Sequence, residues 1–217
     1  MLDVHPPHTP THTWRDFFIH IATIVIGLLI AVGLEQAVEG IHHHYEVREA
    51  RERIREEIKV NIEIDQRDLT FADALLAQMD TNIAALRARE AGKQPAVDHL
   101  SFDLHTQTGY DAAFAYARDK GVLAMMPYEE GAMYSDAYGA VAVNHQQAGS
   151  MITAIGLAKG AARDHNLSEL TPAELQAVLT ACANAKQEAT LYKKLHGLSL
   201  QEWKAALSGN YRTDFHG

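Results

Sequence analysis

The hydrophobic positions of the chain follow one pattern up to Leu34 and another after it. From Phe17 to Leu34 apolar residues occupy every side of a projected helix, and His20 is the one strongly polar residue in this 18-residue run. At ~1.5 Å per residue such a helix is ~27 Å long, close to the hydrocarbon thickness of a bilayer. The pattern predicts a transmembrane helix over residues 14–36.

Two other interpretations of the apolar run, a secretory signal and a buried core helix, fit less well. A secretory signal begins with a basic region, and residues 1–14 contain no Lys or Arg. The run also lacks the polar face of a surface helix, and a helix that is apolar all round lies in a membrane or in the core of a large protein. Trp14 and Arg15 stand directly before it, where an aromatic ring and a snorkelling charge meet lipid headgroups.

After the span, apolar residues return at steps of three, four or seven among many charges, which is typical of a helix with one buried face. These positions are Ile54, Ile58, Ile62, Leu69, Leu76, Met79, Ile83 and Leu86. No proline interrupts this stretch, and Gly92 followed by Pro95 favours an end. We therefore predict a long charged helix over 37–92 that continues from the span, with a bend near Gly40 or within 65–70.

The remainder, 93–217, predicts a helical soluble domain packed on the long helix. Residues 93–110 have the composition of a loop, and 111–121 form a short helix with a glycine stop. Pro127 is expected at the first position of a helix that runs to about residue 158.

Capping boxes predict the last two helices. Thr171 and Glu174, with a proline between them, predict a helix start, and Gly197 predicts its end. Ser199 and Glu202 repeat the box before a final short helix. The predicted fold class is all-α: one amino-terminal transmembrane helix that continues into a long helix within a small soluble bundle.

Residues 1–13 form a separate segment rich in proline and histidine. Its prolines favour an extended, polyproline-like backbone, so we expect an extended tail.

Composition excludes several classes of function. The formal net charge of -9 argues against nucleic acid as a partner, since phosphate neutralisation needs clustered Lys and Arg. The single cysteine, Cys182, excludes an internal disulfide and a cysteine-built metal site, and its apolar surroundings predict a buried position.

Small residues mark one side of the predicted span. Thr23, Gly27 and Ala31 are four residues apart, a spacing that lets another transmembrane helix approach closely, and Gly33 with Ala37 makes a second, shorter small pair. The expected partners are lipid and the helices of a larger complex or of a second copy. His20 lies on roughly the same side; it is either a hydrogen-bonded residue near the interface or an axial ligand to a tetrapyrrole.

Acidic residues and histidines follow the span as Glu39, His42, His43, His44 and Glu46. Glu39 and His42 have the E-x-x-H spacing of di-iron bundles, in which two such motifs converge, but one copy occurs here. Neutral imidazoles could also bind a transition metal. The default interpretation is a polar collar, with no cofactor, where the helix leaves the headgroups.

A tyrosine-rich segment contains Tyr128, Glu129, Glu130, Tyr134 and Tyr138. Carboxylates in a first helical turn complement the helix dipole, and tyrosines at helical spacing favour packing. The alternative is a surface for a partner or small ligand.

The stretches HTWRDFFIHIATIVIGLLIAVGLEQAVE (12–39) and GVLAMMPYEEGAMYSDAYG (121–139) together resemble a group of uncharacterised bacterial proteins. Members have one amino-terminal span and a central segment of the form G-x-L…MPYEE…Y-x-x-x-Y. The two stretches cover less than a quarter of the chain. The resemblance implies a single-span bacterial membrane protein with a helical soluble domain, and it implies no activity and no catalytic residues.

No assembled catalytic motif is found, so we expect a non-enzymatic accessory or scaffold subunit of a larger complex in the bacterial inner membrane. The alternatives are a metal- or tetrapyrrole-binding redox protein and a membrane-tethered ligand sensor. Arg15 before the span and three arginines after it (Arg48, Arg51, Arg53) favour a cytoplasmic soluble domain. A count that includes the acidic residues favours the opposite side.

Overall fold

The computed structural model describes residues 14–163 and 166–209, and within these ranges the chain is all-α, as predicted. The predicted tail, 1–13, lies outside the described residues, as do 210–217. Two 3-10 turns also occur, at Val122–Met125 and Leu167–Glu169. The α-helices in the described ranges are α1 (Trp14–Glu90), α2 (Ala112–Asp119), α3 (Tyr128–Ala162) and α4 (Pro172–Ser208).

Helix α1 is 77 residues long and carries both hydrophobic patterns. It passes without interruption through Gly40 and through 65–70, where a bend was predicted, because no proline removes a backbone donor there. Its end matches the prediction: Gly92 has φ 69°, and the Lys93 amide donates to the Ala88 carbonyl at 2.8 Å. This is a Schellman end, which a glycine in the left-handed region allows.

The chain divides into two compact units, 1–46 and 47–217. In the first unit every residue from 14 to 36 is exposed, and the helix has an 18-residue window of mean hydropathy 2.6 of which nothing is buried. The helix is therefore long and apolar enough to span a membrane. By length and composition alone, a signal sequence or a soluble core helix meets the same criterion.

Both ends of α3 differ from the predicted ones. Pro127 precedes α3 as its N-cap, with an extended ψ of 139°, and is not the first helical residue. Helix α3 also continues past the predicted end to Ala162. There the chain turns at Arg163, whose φ is 50° and whose amide donates to the Lys159 carbonyl.

Helix α4 begins at its predicted capping box but does not stop at Gly197. The Thr171 hydroxyl accepts from the Glu174 amide, and the Glu174 carboxylate accepts from the Thr171 amide. Ser199 is not a second cap, since its hydroxyl donates to the Leu195 carbonyl inside a continuous helix. The stop and the final short helix were wrong, because buried Trp203 anchors the turns that follow Gly197.

In the second unit, the part of α1 from residue 47 onward forms a bundle with α3 and α4. The bundle has two apolar cores. The core near the end of α1 includes Cys182, which is fully buried as predicted. The other core lies around α2 and the start of α3. The first core contains Leu75, Met79, Leu86, Met151, Ile155, Val178 and Cys182, and the second contains Ile54, Ile58, Phe114, Tyr134, Tyr138 and Trp203.

Candidate functional site

Buried polar side chains occupy the level of the bundle between the two cores, and we call this set the polar layer. Each of the three long helices contributes to it. Its members are Asn61, Asp65, Asp68, Gln147, His196 and Ser199. Asn144 donates to the Ser199 hydroxyl at 2.6 Å, and Gln147 donates to a Glu188 carboxylate oxygen at 2.7 Å. Buried polar groups are tolerated in an interior when hydrogen bonds replace water in this way.

The centre of the polar layer is an arrangement that we call the Asp–His cluster: Asp65, Asp68, Tyr192 and His196. Nδ1 of His196 lies 2.6 Å from Oδ1 of Asp65 and 3.8 Å from Oδ2 of Asp68. The Tyr192 ring packs against the His196 imidazole with centroids 4.2 Å apart. The hydrogen bond between Nδ1 and Asp65 fixes the orientation of the imidazole.

Several atoms of the cluster are buried without a hydrogen-bond partner among the described residues. They are Oδ2 of Asp65, Oδ2 of Asp68 and Nε2 of His196. The Tyr192 hydroxyl lies beside the Asp68 carboxylate and the Thr106 side chain without a well-formed hydrogen bond. Such atoms need an explanation, because each leaves a desolvated polar group uncompensated.

Burial changes the acid–base properties of two members of the cluster. It raises the pKa of the Asp68 carboxyl above its usual 3.8, although the adjacent Tyr192 hydroxyl and the charge of His196 act in the opposite direction. It also raises the pKa of the Tyr192 hydroxyl, and the neighbouring Asp68 raises it further. Both groups therefore keep their protons to a higher pH in the folded chain than they would in water.

The segment 101–110, which we call the strap, is held along α1 by side chains that pair with its backbone. Asn82 donates to the Ser101 carbonyl at 2.7 Å and accepts from the Ser101 amide at 3.2 Å. Asn61 makes the same pair of bonds with the backbone of Tyr110, at 2.8 Å each. Between these two points Gln78 pairs with Asp103.

The spacing of these pairs shows that the strap is extended and antiparallel to α1. The 21 steps from Asn61 to Asn82 rise ~31 Å along a helix. The strap covers that distance in the nine steps from Ser101 to Tyr110, or ~3.5 Å per residue, which is near the limit of an extended chain. A glycine suits position 109, because a Cβ added there would lie only 3.2 Å from Oδ1 of Asn61 on α1.

The strap covers the Asp–His cluster. The Gln107 backbone amide lies beside the Asp68 carboxylate, and the Thr106 side chain faces Tyr192. Strap residues 107–109 also close a pocket of about 10 Å³ that Asp65, His196 and Asn144 line. That volume accommodates about one water molecule.

Sequence reasoning missed the polar layer, although α1 contains a signal for it. Asn61, Asp68 and Asn82 lie at seven-residue steps in line with buried Ile54 and Leu75. Polar residues on an otherwise apolar helical face indicate buried hydrogen-bonding partners. The strap itself had no comparable signal, because loop composition does not reveal backbone pairing with a distant helix.

The predicted packing residues of the span lie in the first unit, and all of them are exposed. An added Cβ at Gly27 or Gly33 would meet no atom within 4 Å among the described residues. Ala31 is likewise exposed, and the Thr23 hydroxyl donates to the Ile19 carbonyl. The stripe is thus accessible to another helix, and its proposed contact stays a prediction.

The histidines predicted as ligands are not brought together. A ring nitrogen of His20 lies 2.8 Å from the Asp16 carbonyl. Beyond the span His42 pairs with Glu46 at 3.2 Å and His43 with Glu39 at 3.8 Å, as two separate pairs along one helix, while His44 is exposed. Nowhere in the described ranges do three His, Cys, Asp or Glu residues form a group that could hold a metal ion. The metal and tetrapyrrole alternatives stay predictions.

The tyrosine-rich segment is divided between surface and interior. Tyr128 is 84% exposed and Glu129 is also exposed, as a partner surface requires. Glu130, Tyr134 and Tyr138 are buried, so the ligand-surface prediction is corrected for these three. The helix turns them towards α1, where Tyr134 and Tyr138 pack in the second core.

Glu130 forms a bidentate ion pair with Arg51 of α1. Nε of Arg51 donates to Oε1 at 2.6 Å, and Nη2 donates to Oε2 at 2.8 Å. The Tyr134 hydroxyl lies 3.4 Å from Oε1, and burial together with this carboxylate raises the pKa of Tyr134 to about 12. Glu130 therefore connects α3 to α1, in addition to the predicted interaction of its carboxylate with the dipole at the start of α3.

Comparison of the chain with known families, curated proteins and solved structures finds no match.

Proposed function

We propose that the chain is a single-span bacterial inner-membrane protein that serves as a non-catalytic accessory or scaffold subunit of a larger membrane complex. One observation carries the proposal: α1 has an entirely exposed apolar stretch followed by a stretch whose apolar residues are buried in a bundle. Exposed apolar surface of this size needs lipid or a partner to cover it.

Two features favour a subunit over a simple anchor. The span carries the stripe of Thr23, Gly27 and Ala31, whose small side chains allow close helix contact. The bundle is filled by two apolar cores, and the pocket at its polar layer has room for about one water molecule. Surfaces on the outside of the span are thus better placed than the interior of the bundle to bind a partner.

The bacterial inner membrane is proposed from the resemblance of 12–39 and 121–139 to bacterial single-span proteins. The excess of arginines after the span supports a cytoplasmic position of the bundle.

Native membranes solubilised in mild detergent and separated by size test the proposal. We expect the chain to co-migrate with a larger assembly at fixed stoichiometry, and mass spectrometry identifies the partners. Migration at the size of a monomer or a small homo-oligomer would contradict the subunit role.

A matched pair of variants tests whether the stripe of Thr23, Gly27 and Ala31 contacts the partner. Ala31→Leu adds bulk on the stripe and should release the chain from the assembly. Ala22→Leu makes the same change ~140° away from the centre of the stripe, at ~100° per residue, and should leave the assembly intact. Equal behaviour of the two variants would count against the stripe as the contact.

A further inference from the structure

The Asp–His cluster has more buried acidic groups than basic ones. Asp65 and Asp68 are 4% and 1% exposed, and His196, at 3%, is the basic group between them. With both carboxylates ionised, even a protonated imidazole leaves one negative charge in the interior. An uncompensated buried charge is costly, so the cluster favours uptake of a proton.

Among the groups that act most strongly on Asp68, His196 is the basic one. Asp65 comes from its own helix, and Tyr192 and His196 come from α4. The strap contributes the Gln107 amide, and α3 contributes the uncharged Asn144 and the titratable His145 to the adjoining pocket. No Lys or Arg of the described ranges lines this pocket.

We propose that Asp65, Asp68, Tyr192 and His196 form a buried proton-binding site and that the strap stays closed over it while the proton is bound. The proton resides on Asp68, whose Oδ2 has no hydrogen-bond partner among the described residues. Protonation converts this oxygen from an acceptor into a donor beside the Tyr192 hydroxyl and removes its repulsion with Asp65.

The strap couples protonation to conformation because it separates the cluster from water. When Asp68 loses its proton, the closed state holds a desolvated carboxylate, whereas lifting residues 106–109 lets water reach it. Since the pKa of Asp68 is raised in the closed state, the closed state is favoured most below the usual 3.8 and loses this advantage as the pH rises through the closed-state pKa.

Hydrogen exchange of the full chain in detergent, from about pH 4 to about pH 9 and corrected for intrinsic rates, measures opening of the strap. Opening should increase by up to about tenfold per pH unit between the open-state and closed-state pKa values and then level off. Asp68→Asn, which mimics the protonated carboxyl, should keep strap exchange low and independent of pH.

Asp73→Asn is the matched control, because Asp73 lies on the same helix but is exposed and paired with Lys193. It should retain the pH dependence of the wild type. A strap whose exchange is pH-independent in the wild type, or equally pH-dependent in Asp68→Asn, overturns the proposal. Strap protection that requires added Zn²⁺ and disappears with a chelator overturns it in favour of a metal site.

Infrared spectroscopy of the wild type keeps the test decisive if Asp68→Asn does not fold. A band from a protonated carboxyl should persist above the usual Asp range and disappear over the same pH interval in which the strap opens. Absence of the band, or its loss without any change in strap exchange, would overturn the proposal.

Discussion

Glu130 and its neighbour Glu129 have nearly the same sequence context but different environments. Both lie in the first turn of α3, yet Glu129 is exposed and Glu130 is 4% exposed against Arg51. Sequence reasoning treated the two alike, because it could not tell which carboxylate faces a residue 79 positions away. The rotation of α3 relative to α1 decides this, and long-range packing sets that rotation.

Glu130→Ala should lower the free energy of unfolding by about 2–3 kcal/mol, because Arg51 and the Tyr134 hydroxyl both lose their acceptor. The cost stays below that of a fully buried pair, since the Arg51 side chain is 36% exposed and can recover water. Denaturant unfolding followed by circular dichroism measures the change. Glu129→Ala should stay within about 0.5 kcal/mol, and equal losses for the two variants would contradict the structure.

At the scale of elements, local signals predicted most helix ends, and long-range packing decided the rest. The capping box at Thr171 and the positive φ of Gly92 involve only neighbouring backbone groups. The sequence was therefore enough to predict the start of α4 and the end of α1. Gly197 had the appearance of a stop, but the second core retains the helix beyond it. The strap residues Ser101 and Tyr110 pair with Asn82 and Asn61 of α1. No local sequence pattern indicates contacts between residues so far apart in the chain.

Gly197→Ala separates the two interpretations of α4. Inside a helix, with no atom of the described residues within 4 Å of the added Cβ, alanine should stabilise the protein by about 0.5–1 kcal/mol. At a left-handed stop it would destabilise instead. Gly209→Ala provides the contrast: φ is 69° there, so the same change should cost about 1 kcal/mol. Thermal unfolding of both variants gives the signs, and a destabilised Gly197→Ala would contradict the continuous helix.

At the scale of the whole molecule, α1 has two different kinds of surface. Its first stretch is apolar on every side and exposed, and its later stretch alternates buried and charged positions. Periodicity alone predicted this change of pattern and the all-α class, because both are local properties of the chain. The polar layer depends on which faces of three helices meet, and that could not be inferred from periodicity.

Labelling of single cysteines in intact membranes tests most directly whether α1 enters the bilayer. The background is Cys182→Ala, which removes a buried thiol whose pKa burial raises to about 11. Leu29→Cys places a thiol in the middle of the apolar stretch, and Glu52→Cys places one on an exposed, charged turn.

We predict that a membrane-impermeant maleimide labels Glu52→Cys, from the cytoplasmic side if the arginine asymmetry sets topology. Leu29→Cys should react only after the membrane is dissolved and the chain denatured. Rapid labelling of Leu29→Cys in intact membranes, or recovery of the chain in the aqueous fraction, would contradict a membrane span.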